Sequence, residues 1–337
     1  MSSNEIPKFG YLQATSVSDA VSKLTSYGGT ARILGGGTDI ISQMKNGIDN
    51  LLPQYVVDIS ALDLNYVTFS ESDGLRVGAA TPVSTIETDP NVNQYYTALA
   101  QAATGHAPGI ANQATAAGNV LQEVWCWYLR GNYDCWRNGG TVCYAAEGGD
   151  NRYYHSIYGG NLCYAVNPSD VAPALFALDA EVTVAGPSGN KTVTMDQLIP
   201  GVSIVDGRVT EKSLRYNELV TEIHIPTPAS GTQSAFFKVS DRHAIDFALA
   251  SAAVSAVFNG STISSARVVL GGVATKPLRV TAAESYLAGQ QLTETVISNA
   301  ATKALAGATP LTTGTGNAFR VYLAQGAVAK ALRSLTP

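Results

Sequence analysis

All four cysteines of this 337-residue chain fall between Cys126 and Cys163, spaced C-x8-C-x7-C-x19-C. That crowding constrains the fold strongly, because a shared ligand would draw the whole stretch around one point. Three chemistries use four cysteines. Disulfides suit a small secreted domain with too little core to hold itself together, whereas this chain is long. Its start, Met1 to Lys8, also lacks the basic end and apolar run of an export signal. A structural zinc ion is ordinarily held by closely paired cysteines, and none stand here. An iron–sulfur cluster takes four thiolates brought together. Spacing alone leaves all three open.

A second constraint lies upstream. Leu34-Gly35-Gly36-Gly37-Thr38-Asp39 follows the short apolar run Arg32-Ile33-Leu34, and Ile40 to Met44 can open a helix. Consecutive glycines let the backbone approach a phosphate and aim N–H groups at it. A helix N-terminus adds partial positive charge, and Thr38 adds a hydroxyl. Taken alone, the run reads equally well as a glycine turn without a ligand.

The remaining chain divides by periodicity. Val17, Ala20, Val21 and Leu24 recur at helical spacing, which predicts a helix over 16–26 capped by Ser16 or Ser18. Tyr55 to Ile59 predicts a strand, closing a small α/β unit near residue 60. Further strands are expected at 75–79 and 219–226, a helix at 92–104, and a hairpin pairing 181–184 with 191–195. Pro226, Pro228 and Gly231 form a linker. Beyond it, strands at 235–240, 247–258 and 264–271 precede helices at 281–288, 292–305 and 317–334. Strands followed by helices indicate a separate α+β domain. The expected units are 1–60, 61–230 with a cysteine insertion at 121–166, and 231–337.

Charged residues are only 14% of the chain and the net charge is −5. Nucleic-acid binding wants clustered Lys and Arg, and no basic stripe is present. No apolar run is long enough to span a membrane.

Several segments together resemble the FAD-binding subunits of molybdenum hydroxylases of the xanthine dehydrogenase type. Gly35-Gly36-Gly37-Thr38-Asp39, with Met44-Lys45 and Val57-Asp58-Ile59 beyond, resembles the first flavin motif. Asn112-Gln113-Ala114-Thr115-Ala116-Ala117-Gly118-Asn119 resembles the second, with Ala111 and Ala117 at positions where the family often has Arg and Gly. Pro168-Ser169-Asp170 and Pro173-Ala174-Leu175 form a third. The resemblance continues through Phe236-Phe237-Lys238, Arg242, Asp246-Phe247-Ala248, Gly271-Gly272-Val273-Ala274, Pro277-Leu278-Arg279 and Ala283-Glu284. The cysteine window is similar to an insertion in the FAD subunits of three-subunit bacterial aldehyde oxidoreductases. Its flanks carry the likeness: Trp127-Tyr128, Tyr144-Ala145-Ala146, Gly149-Asp150-Asn151-Arg152-Tyr153-Tyr154-His155 and Tyr164-Ala165-Val166-Asn167. A related insertion, differently spaced, occurs in hydroxybenzoyl-CoA reductases.

The resemblance implies an α+β fold: a two-part FAD-binding domain of the vanillyl-alcohol-oxidase (PCMH) type, then a C-terminal α+β domain of the CO dehydrogenase flavoprotein type. It implies FAD bound by Arg32, Ile33, Leu34, Gly35, Gly36, Gly37, Thr38, Asp39, Ile40, Thr115, Gly118, Asn119, Asp170 and Lys238. It implies a [4Fe–4S] cluster on Cys126, Cys135, Cys143 and Cys163. No general acid or base is expected, because the cofactors carry the chemistry. On the residues alone, Lys238 also reads as a surface lysine, Arg242 and Asp246 as a structural ion pair, and Trp125, Trp127 and Trp136 as plain packing. His155 also reads as an ordinary hydrogen-bonded loop residue. His106, His155, His224 and His243 show no metal-ligand spacing.

The function so implied is electron transfer in a heterotrimer, or a dimer of heterotrimers. Electrons would come from a large molybdenum-cofactor subunit through a small [2Fe–2S] subunit, and leave from FAD to an external acceptor. An aldehyde is the first expectation for the substrate, with purines, other N-heterocycles and aromatic thioesters as alternatives. A free-standing flavin oxidase and a non-catalytic assembly subunit with a zinc site are readings of other classes. The expected location is cytoplasmic, or periplasmic by export with a partner.

Overall fold

A computed structural model describes residues 5–149, 152–242, 245–312 and 316–335. Asp150, Asn151, His243 and the extreme ends of the chain, on which some of the expectations above fall, lie outside the described residues.

The N-terminal unit is a parallel sheet of three strands in the order Gly10–Gln13, Tyr55–Asp58, Ala31–Leu34. The helix Val17–Tyr27 crosses between the first two strands in sequence. Ser16 caps it by accepting the Asp19 N–H at 3.0 Å, and Ala20, Val21 and Leu24 are its buried face. Gly28 ends it at φ +57, a conformation that costs glycine little. The glycine loop therefore leaves the carboxyl end of a parallel strand, where ligand crevices of α/β sheets form.

A five-stranded antiparallel sheet follows, ordered Val67–Ser70, Gly74–Gly78, Leu219–Ile225, Glu181–Gly186, Gly189–Thr194. Val171–Ala177, whose seven residues are all buried, shares a core with it and packs against the later strands Ala250–Asn259 and Thr262–Gly271. The single helix expected over 92–104 is two, Pro90–Tyr95 and Thr97–Ala103. Tyr96 breaks it, with a fully buried ring whose hydroxyl donates toward the carbonyls of Ile225 and Pro226 at 3.4 and 3.3 Å. Satisfying that buried hydroxyl accompanies the loss of one unbroken helix.

The third sheet, Thr232–Val239, Ala250–Asn259, Thr262–Gly271 and Leu278–Arg279, is antiparallel throughout. The middle strand starts at Ala250, not at 247, and Phe247 precedes it. Helices Thr281–Leu287, Glu294–Lys303 and Phe319–Arg333 cover one face around a core of alanines, valines and leucines. Arg320 is wholly buried and donates to the carbonyls of Leu249, His155 and Gly272, pinning this domain to the cysteine segment.

The cysteine segment leaves the fold at Trp125 and returns at Val166. Those two residues bond to each other as an antiparallel bridge, with N–H···O distances of 2.9 and 3.3 Å. Among the described residues between them, the helical elements are the short turns Trp127–Arg130 and Trp136–Asn138. No membrane-length apolar helix occurs among the described residues.

Candidate cofactor sites

A cavity of about 330 Å³ opens beside the glycine loop. Ten of the residues expected for a cofactor line it: Arg32, Ile33, Gly35, Gly36, Gly37, Thr38, Asp39, Ile40, Thr115 and Gly118. Ala117 lines it too, so the methyl group that departs from the family pattern is part of the wall. Leu34, Asn119, Asp170 and Lys238 do not line it.

The two glycine-containing segments meet without room for side chains. A Cβ on Gly36 would lie 1.6 Å from the Gln113 carbonyl oxygen, and one on Gly118 would lie 2.7 Å from Thr115 Oγ1. Gly37 has φ +78. Thr115 caps the helix Ala116–Leu121 by accepting the Gly118 N–H at 3.2 Å. The result is a close backbone approach beside a cavity at the small end of the range for ligand sites. Asp39 stands at the N-cap of the helix Ile40–Asn46 without capping it. Its carboxylate instead accepts the Glu123 N–H at 2.6 Å, Arg130 at 2.9 Å and the Gln43 amide at 2.7 Å.

Asn119, Asp170 and Lys238 form a second polar cluster. Lys238 Nζ pairs with Asp170 Oδ2 at 2.6 Å and donates to the Gly105 carbonyl at 3.2 Å. It is a partly buried ion-pair partner rather than a freely solvated lysine. Asn119 bonds to His106 Nε2 at 2.9 Å and accepts the Ser169 hydroxyl at 2.6 Å. Burial raises the Asp170 carboxyl, against the opposing pull of Lys238 and His106. Its Oδ1 is buried with no hydrogen-bond partner, an exception to the usual satisfaction of buried polar atoms.

All four cysteines are free thiols and line one small cavity of about 20 Å³. Tight turns draw them together: a Cβ on Gly160 would lie 1.8 Å from the Cys163 carbonyl oxygen. Among the described residues, no three His, Cys, Asp or Glu side chains group around a single ion. Burial lifts Cys126 to about 12 and raises Cys135 and Cys143, and the neighbouring thiols add to each shift. Backbone N–H groups oppose it: Leu129 and Tyr128 at Cys126, Arg137 and Asn138 at Cys135, Ala146, Tyr164 and Ala145 at Cys143. Ala165 N–H and Arg137 Nε donate to Cys163 Sγ at 3.4 and 3.1 Å. This donor set suits sulfurs carrying negative charge, as in a thiolate-bound cluster.

His155 is fully buried with Nε2 3.2 Å from Cys126 Sγ and Nδ1 unpartnered. Burial lowers it to about 4, with Arg320 contributing. Trp125 packs on Phe247 and under Arg130, whereas Trp127 is half exposed. Arg242 and Asp246 form the structural pair expected of them, at 2.7 Å.

Sequence reading missed three contributors. Glu123 lines the glycine-loop cavity and pairs with Arg137 at 2.8 Å, so one ion pair touches both sites. Arg208 reaches the same cavity from the hairpin Ser203–Val205/Arg208–Thr210. Asp206-Gly207, both at positive φ, is the two-residue turn that announces such a hairpin, so this element was legible.

Comparison with known proteins fits this architecture. The FAD binding domain in molybdopterin dehydrogenase matches residues 7–228, and the CO dehydrogenase flavoprotein C-terminal domain matches residues 235–335. Fold and matches together define a two-domain flavoprotein. The chain belongs to the FAD-binding medium subunits of the molybdenum hydroxylase family, which are subunits of oxidoreductases. It is 34% identical over 264 residues to the aldehyde oxidoreductase FAD-binding subunit PaoB of Escherichia coli (strain K12), covering 76% of this chain and 79% of that one. It is 28% identical over 330 residues to the carbon monoxide dehydrogenase medium chain of Hydrogenophaga pseudoflava, covering 97% of each. The solved carbon monoxide dehydrogenase from Hydrogenophaga pseudoflava lacking the Mo-pyranopterin moiety superposes with a TM-score of 0.75 at 25% identity, over 98% of each chain.

Proposed function

We propose that the chain holds FAD along the glycine-loop cavity and the Asp170–Lys238 cluster, holds a [4Fe–4S] cluster on Cys126, Cys135, Cys143 and Cys163, and serves electron transfer. The single observation that carries the flavin reading is the contact of Gly36 with the Gln113 carbonyl. It builds one cradle from the two segments that resemble the flavin motifs. The unpartnered Asp170 Oδ1 and the ammonium of Lys238 supply an acceptor and a donor for the flavin ring. The cluster reading rests on four thiols around one cavity, each faced by N–H donors.

Bound FAD supplies the exchange between two-electron and one-electron carriers, and the cluster supplies one-electron storage. The chain's residues hold these groups, exclude water and set local charge. Arg137, wholly buried, donates to Cys163 Sγ at 3.1 Å and balances negative charge there. Tyr128, Leu129, Val142 and Tyr144 give the cavity a largely apolar wall, and such a shell tunes a cluster's potential.

The partners are a large molybdenum-cofactor subunit and a small [2Fe–2S] subunit, and the likeness to medium chains supports this assembly. Likeness to the aldehyde oxidoreductase subunit favours an aldehyde as the substrate of the whole enzyme. Affinity purification of the tagged chain from its native host tests the reading. It should bring down one large and one small subunit, with FAD released on denaturation. A folded chain that carries no flavin and no partners contradicts it.

A further inference from the structure

Most basic side chains around the glycine-loop cavity are matched. Arg130 pairs with Asp39, Arg137 with Glu123 and Glu211, Lys212 with Glu211, and Arg215 with Asp206. Arg32 and Arg208 line the same cavity and form no ion pair among the described residues. The Nε of Arg208 is buried without a hydrogen-bond partner. Guanidinium groups do not shed their charge in proteins, and burying one unmatched is unfavourable.

The geometry carrying them is specific. Arg32 sits on the strand Ala31–Leu34, immediately before the glycine loop. Arg208 is delivered by the Asp206-Gly207 turn of a hairpin distant in sequence. The two are close enough that burial and the charge of Arg208 bring Arg32 down to about 10, with Glu123 opposing. Each guanidinium offers a planar fork that fits two phosphate oxygens. The glycine loop of the same cavity adds backbone N–H donors.

We infer that Arg32 and Arg208 clamp the diphosphate of the dinucleotide cofactor, with Arg208 the recognition residue that the 203–210 hairpin brings to the cavity. This rests on the flavin dinucleotide reading of the cavity and adds to it Arg208, which neither glycine motif contains, with a phosphate-binding role for Arg32. The hairpin thereby becomes a recognition element for phosphate rather than a connecting loop.

The test uses the purified complex, stripped of flavin and titrated calorimetrically with ADP, FAD and riboflavin. Arg208→Gln should weaken ADP and FAD by about ten- to hundredfold, the range for a lost charged hydrogen bond. It should leave riboflavin, which has no phosphate, unchanged. Arg208→Lys should fall between, and Arg333→Gln, a surface control paired with Glu294, should match the wild type. If Arg208→Gln does not fold, Arg32→Gln and Arg208→Lys carry the same comparison. Wild-type affinity for ADP in a folded variant overturns the clamp, as does equal weakening of riboflavin. If wild-type protein binds ADP through Arg208 but not FAD, the clamp stands and the flavin reading fails. If it binds neither, both fail.

Discussion

The Asp39 carboxylate and the Arg130 guanidinium, 91 positions apart, form an ion pair of 2.9 Å that fastens the glycine loop to the cysteine segment. Asp39 also accepts the Glu123 N–H, and Glu123 pairs with Arg137, which donates to Cys163. The two candidate sites thus share one run of charged contacts. Asp39→Ala leaves the half-buried end of that run without its acceptor. It should lower stability by about 2 kcal/mol, read as a shifted urea midpoint, and should lower flavin occupancy in the same preparations.

Gly36→Ala tests the cradle itself. The added methyl would fall 1.6 Å from the backbone oxygen of Gln113, which no side-chain rotation relieves. The loop or the 112–118 segment has to move apart. Flavin per chain, measured after denaturation, should drop at least about tenfold in folded protein, since backbone displacement removes several donors at once. Undiminished flavin in this variant would place the cofactor elsewhere.

How much of this was legible in sequence differs by residue. Gly35 to Gly37 announced a tight turn because glycine runs act locally, whereas the helix cap made by Thr115 was not read from the sequence. The four cysteines announced a shared site by crowding. Asp170 and Lys238 could be named, but their ion pair joins two sheets' worth of chain and has no local signature. Glu123 and Arg137 look like ordinary surface charges in sequence, and only the packing of the cysteine segment buries them. Tyr96 shows the limit for secondary structure: helical periodicity runs straight through it, yet its backbone leaves the helix and its hydroxyl is buried against the Pro226 carbonyl.

Arg137 makes a structural prediction. It is nearly inaccessible and pairs with Glu211, which is fully buried, at 2.7 Å, as well as with Glu123. Arg137→Gln takes one guanidinium from both carboxylates, leaving Glu211 with Lys212 alone as its ion-pair partner, and breaking a buried pair from one side costs about 3–5 kcal/mol. Thermal unfolding should shift down by several degrees, while Arg333→Gln, at the exposed pair with Glu294, should hardly move it.

His155 gives a pH dependence. Its folded value is lowered from 6.5 to about 4 by burial and by Arg320, so the unfolded chain binds its proton first as pH falls. The group is neutral in both states above about pH 7 and contributes no pH dependence there. Stability declines as pH falls from about 6.5 toward 4, by about 3 kcal/mol in total from this residue. His155→Gln should flatten that stretch of a plot of unfolding free energy against pH. A mutant curve parallel to the wild type between pH 6.5 and 4 would remove His155 as the cause.

The most direct measurement of the central claim is cofactor stoichiometry in anaerobically purified complex: FAD, and the iron and acid-labile sulfide retained by this chain after its partners are separated. The account predicts about one FAD with about four iron and four sulfide per chain, and loss of the iron but not the fold in Cys163→Ser. Folded chain with FAD and zinc in place of iron would contradict the cluster, and folded chain with neither flavin nor iron would contradict the account as a whole.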